Sequence, residues 1–178
     1  MEIAELGVYV SALKLPRVPE NWPKLLGSWK SHDMETYIQV VDAGAVAGLP
    51  HILFLVFNAV SAFRYRYNKL KRLEAELLLV LSGTDRFLRA VELVGAKAGR
   101  PGVAIIVAKG RDACAHSAEQ ISASIDGSDA LPSQTQEEVM MVEIARGLGV
   151  GSPALGSKGY DVNGFLYKLV EEGALIYC

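Results

Sequence analysis

Apolar and polar positions along the chain fall into two kinds of block, short β-branched runs and longer runs of helical period. In residues 3–15, Val8 and Val10 alternate with smaller side chains, which predicts one or two strands, with Gly7 free to take a bend. Pro16, Pro19 and Pro23 interrupt regular structure. Trp22, Leu25, Leu26 and Trp29 predict a short amphipathic helix, against which Gly27 works. Residues 36–41 read as a second strand ending at Asp42-Ala43. From 43 to 63 there are 21 residues without Asp, Glu, Lys or Arg. Gly44, Gly48 and Pro50 break the start of that run, leaving 52–63 as the unbroken apolar helix. Its 12 residues fall short of the roughly 20 that cross a bilayer. The expectation is a central buried helix with Pro50 in its first turn, where a missing N–H does no harm.

The stretch from 73 to 107 has the densest pattern. Glu76 stands alone at the head of the apolar run 77–81, and Ser82-Gly83 ends it. Glycine takes the positive φ that closes a helix. Thr84 is the expected cap of the next helix, with Asp85 at its positive end. Phe87, Ala90, Val91 and Val94 share one apolar face, Arg86 and Arg89 lie on another, and Gly95 closes the helix. Residues 103–108 predict a buried strand, and 113–125 a short helix. Further on, 125–136 reads as a connector, 137–147 as an amphipathic helix, 147–159 as a loop, 161–172 as a last helix and 174–177 as a terminal strand.

Composition narrows the classes. The chain has 178 residues, 51% apolar and 21% charged, which suits one folded domain over 1–178 and not a disordered chain. Cys114 and Cys178 are too few for a disulfide framework and have no metal spacing, so a reducing, cytoplasmic setting is expected. Glu2 and Glu5 precede only a short apolar run, and no signal segment is expected. The net charge of −2 conceals segregation: residues 61–111 hold eleven Lys/Arg against four Asp/Glu, and residues 112–178 hold three against ten. The basic part centres on 64–72, where Arg64, Arg66, Lys69, Lys71 and Arg72 interleave with Tyr65 and Tyr67. Cations neutralise phosphates and aromatic faces stack on unpaired bases. A solvated turn whose tyrosines pack on the core is the competing reading.

Other chemistry is weaker. Gly147-Leu-Gly-Val-Gly151 lacks a preceding strand, and Ser157 separates Gly156 from Lys158, so neither phosphate-loop pattern is met. His51 and Glu76 would form an acid–base pair if their helices packed side by side, the basis of a small-enzyme reading. His32 and His116 have no convincing partners. A buried Glu76 needs backbone N–H groups or a cation. No metal, cofactor or small-molecule substrate is expected.

An apolar helix with one Glu, then Ser-Gly, a short basic segment, an Ala and a Gly resembles the kinase-binding accessory subunit of the KEOPS complex, of archaeal type. Glu76, Ser82, Gly83, Ala90 and Gly95 carry that resemblance, which is firmest over 36–107; Asp85-Arg86-Phe87 stands where the family reads Arg-Gln-Ile. It implies a non-catalytic subunit of the machinery that makes threonylcarbamoyladenosine in transfer RNA. Such a subunit binds the atypical serine/threonine kinase/ATPase subunit and holds transfer RNA by its single-stranded 3′ CCA end. On this resemblance His51, Arg64, Lys69, Lys71, Arg72, Arg86 and Lys97 are the expected RNA-binding group, and Phe87 and Val91 the kinase-facing pair. Glu76, Gly83 and Gly95 are expected to be structural. A stand-alone single-stranded RNA-binding module is the alternative. The expected fold is α+β, a helical core centred on 52–63 and flanked by a small mixed or antiparallel sheet that includes 103–108 and the terminal strand.

Overall fold

The computed structural model describes residues 1–30 and 35–130. Its strands are β1 (Glu2–Ile3), β2 (Val8–Leu15), β3 (Thr36–Asp42), β4 (Gly102–Ala108) and β5 (Asp129–Ala130). Its helices are α1 (Trp22–Trp29), α2 (Leu49–Tyr65), α3 (Leu73–Ser82), α4 (Phe87–Val94) and α5 (Arg111–Ser124), with a 3₁₀ turn at Ala43–Ala45. The fold is α+β. The expected segments 137–147, 147–159, 161–172 and 174–177, and His32, lie outside the described residues.

The sheet is antiparallel in the order β1-β2-β4-β3, and β5 also pairs with β2. β4 is buried along all seven residues. A strand with no charged side chain and no exposed position needs cover on both faces. Side-chain alternation sends Val103, Ile105 and Val107 to one face and Ala104, Ile106 and Ala108 to the other. The first face packs under α2, α3 and α4 through Ile52, Val56, Leu77, Leu79, Ala90 and Val94. The second packs under α1 and α5 through Trp29, Ala113, Cys114 and Ile121. Trp29 is fully buried and donates its indole N–H to the Ser124 hydroxyl at 2.8 Å, which joins the two helices of that layer.

The local predictions find their elements with small shifts. Pro50 sits in the first turn of α2, which runs three residues beyond the expected start and two beyond the expected end. Gly7 takes φ +65° in the turn between β1 and β2. Gly83 takes φ +62° and closes α3. Gly95 closes α4 without a positive φ: at −65° it is ordinary in φ, but an added Cβ would lie 2.4 Å from the Val91 carbonyl oxygen. α4 begins later than the Thr84 cap predicts. The Thr84 hydroxyl accepts the Arg86 N–H at 3.3 Å, but Arg86 itself is extended (φ −98°, ψ 105°), so this bond closes a local turn and the helix starts at Phe87. Among the described residues no helix is long and apolar enough to cross a membrane.

Candidate functional site

A groove of about 950 Å³ opens where the C-terminal end of β4 meets the end of α2 and the start of α3. Five cations line it, Lys30, Arg64, Lys71, Arg72 and Lys109, against the three carboxylates Glu5, Glu35 and Glu74. Tyr37 of β3, half-buried, contributes an aromatic ring. Arg64 comes from the last turn of α2, and Lys71 and Arg72 from the loop that follows. That loop begins with Arg66 in the left-handed region at φ 62°, where its N–H bonds back to the Phe63 carbonyl and turns the chain out of the helix.

The cations differ in how far they are already neutralised. Lys30 donates to Glu74 at 2.9 Å, and Arg72 reaches the same oxygen at 3.5 Å. Burial pushes the Glu74 carboxyl up, but the Lys30 hydrogen bond, a backbone N–H and the nearby charges bring it below the usual carboxylate range. Lys109 bonds Glu35 at 2.6 Å, which lowers the Glu35 carboxyl and raises the Lys109 ammonium. Burial and the Glu35 charge raise the Tyr37 phenol. Arg64 donates to the Glu5 carbonyl, a neutral partner. Lys71 forms no ion pair among the described residues. Among the described residues the groove therefore keeps Arg64 and Lys71 without an ion pair and Arg72 as weakly held charge.

The other expected RNA contacts stand apart. Lys69 is exposed on the same loop but does not line the groove. Arg86 precedes α4, beyond the far end of the ten-residue α3, about 15 Å along its axis. Lys97 follows Gly95, which bridges to Val41 at the other end of the sheet. β4 spans about 20 Å between those ends at ~3.3 Å per residue. His51 is inside the helix layer at 5% exposure. Its Nδ1 accepts the Ala47 N–H at 3.2 Å, and burial pushes its pKa down to about 4, so the ring is neutral. An imidazole so placed holds the entry to α2 and offers nothing to a phosphate.

Glu76 is fully buried, and its two oxygens accept the backbone N–H groups of Lys69 and Leu70 at 3.0 and 2.8 Å. It makes no ion pair among the described residues. His51 and Glu76 thus direct their polar atoms at separate backbone groups, and no acid–base pair is assembled.

One feature escaped the sequence pattern: β3 and β4 pair with Thr36 opposite Ala108, which puts Glu35 beside Lys109 and brings Lys109 to the groove, while Lys30 reaches it through its bond to Glu74. Of the two tyrosines of the basic run, Tyr65 is 67% exposed and Tyr67 44%.

A second surface lies on α4. The arc of Phe87, Ala90, Val91 and Val94 spans roughly 100° of the helix, at about 100° per residue. α3 covers only half of it, so Ala90 and Val94 are buried while Phe87 and Val91 stay exposed beside Leu88, at 77%. Arg89 and Glu92 pair at 3.1 Å on the solvent side. Compared with known protein families and with curated proteins, the chain matches none.

Proposed function

We propose that this chain is a non-catalytic accessory subunit that binds transfer RNA and a kinase/ATPase partner, as its resemblance to the KEOPS kinase-binding subunit implies. One observation carries the reading. Arg64, Lys71 and Arg72 converge on one groove, and Tyr65 and Tyr67, which belong to the same basic run, are exposed. Cations that track phosphates, with aromatic faces for splayed bases, are what a single-stranded RNA end requires. Glu35 and Glu74 are each already bonded to a lysine, so they oppose a polyanion less than their number suggests. The exposed apolar face of α4 supports the protein-binding half of the proposal, because adjacent exposed Phe, Leu and Val side chains favour a partner over water. In this reading the protein works in the cytoplasm, uses no cofactor and turns over no small molecule.

The test is a titration of transfer RNA, with and without its 3′ CCA end, across a range of salt. Three groove cations neutralising single-stranded phosphates give a slope of about −2 in log affinity against log salt. Tight binding that needs the CCA end supports the proposal, and charge reversal at Lys71 then weakens it. Equal binding of the truncated RNA reduces the site to general electrostatics and favours a stand-alone RNA-binding module. For the partner, Phe87→Glu abolishes capture of the kinase while leaving RNA binding intact.

A further inference from the structure

We propose that Glu76 is a positioning residue, holding the basic loop in its RNA-binding shape; this rests on the RNA-binding reading above. A fully buried carboxylate in an apolar helix is a costly choice, because it leaves water and, among the described residues, pairs with no cation. What it gains is confined to the loop between α2 and α3. Both oxygens are taken by consecutive N–H groups, of Lys69 and Leu70. The same loop is fixed at two other points. The Asn68 side-chain amide donates to the Leu70 carbonyl at 2.8 Å, and Leu70 packs partly buried against the core. Lys69, Lys71 and Arg72, the residues on either side of Leu70 and the next along, stay exposed. The clamp thus pins the backbone on the inner side and leaves the ammonium and guanidinium groups outward. A loop ordered in advance does not lose that conformational freedom on binding. The start of α3 adds its positive end to the stabilisation of the carboxylate.

The experiment compares transfer RNA bearing an intact 3′ CCA end on four variants at 25 °C. Glu76→Gln removes one acceptor from the clamp and puts an amide N–H₂ against a backbone N–H. Asn68→Ala loosens the loop without touching the core. Leu79→Ala, in the same helix and fully buried, lowers stability away from the loop. Lys71→Ala/Arg72→Ala removes the groove charges that the loop carries. Glu76→Gln and Asn68→Ala are expected to weaken binding about 5- to 10-fold, the range expected from reordering one or two rotamer-rich side chains. Leu79→Ala keeps wild-type affinity at a temperature where it is folded. Introduced into the Lys71→Ala/Arg72→Ala background, Asn68→Ala and Glu76→Gln cause no further loss, because the groups they position are gone. Amide hydrogen exchange at Lys69 and Leu70 speeds up in Glu76→Gln but not in Leu79→Ala. The proposal is overturned if both loop variants bind like the wild type, or if their losses persist undiminished in the charge-deleted background. A wild-type protein that binds no RNA ends the functional reading itself, a result distinct from either of these.

Discussion

At the scale of single residues, His51 gives the molecule a pH dependence whose sign is fixed by its burial. The folded chain holds its pKa near 4 against an ordinary 6.5, so the unfolded chain takes up the proton first as pH falls. The stability it contributes is fully present above pH 6.5 and is lost on the way down to pH 4. At about 1.4 kcal/mol per pH unit, the loss between pH 7 and pH 5 is about 2 kcal/mol. Urea denaturation at those two values is expected to find it. The same measurement on His51→Asn, which keeps an acceptor for the Ala47 N–H and cannot titrate there, is expected to give a flatter profile. An unchanged profile in His51→Asn would assign the pH dependence to other groups. His51 also marks where residue-level reading stops. A histidine among Leu, Ile and Phe has one sequence pattern whether it points outward or fills a helix entry, and only the packing of α2 on the sheet decides.

At the scale of elements, two glycines close two helices for different reasons. Gly83 is needed for its φ of +62°, and an L-residue there is strained by roughly 1–2 kcal/mol. Gly95 needs no unusual φ, but the backbone of α4 passes so close that a Cβ would fall against the Val91 carbonyl. The bridge from Gly95 to Val41 ties that backbone to β3 and limits its retreat. Gly95→Ala is therefore expected to cost about 1–3 kcal/mol, the range for overpacking a fixed site, and more than Gly83→Ala. Denaturant midpoints of the two variants check the order, and a milder effect at Gly95 would mean that the α4–β3 junction can give. Helix stops were legible because Gly after an apolar run has few other uses. The start of α4 was not, since Thr84 followed by Asp85 satisfies the cap pattern while the extended backbone of Arg86 postpones the helix. That postponement puts Phe87 and Leu88 in the first turn, half outside the cover of α3.

At the scale of the whole molecule, the basic middle of the chain divides between the two ends of the sheet. Strands 36–41 and 103–108 were legible from β-branched runs, yet their register was not, and register brings Lys109 to the groove of Arg64 and Lys71 while leaving Lys97 at the other end. Proximity in sequence fixed only the cluster carried by the loop between α2 and α3. This separation makes a prediction that the charge count alone does not. Lys71 and Lys97 carry the same charge and are both exposed. They belong to opposite ends of β4, whose length of about 20 Å is twice the Debye length of about 10 Å at 0.1 M salt. Reversal to Glu at Lys71 removes a groove charge that no ion pair holds among the described residues, and opposes a phosphate with a carboxylate. It is expected to weaken transfer-RNA binding at least tenfold and to make the salt slope shallower by about one phosphate. Reversal at Lys97 changes the net charge equally and leaves both affinity and slope near wild type at 0.1 M salt. Equal losses from the two variants, measured side by side, would mean that RNA meets the protein as a diffuse positive field and not in the groove.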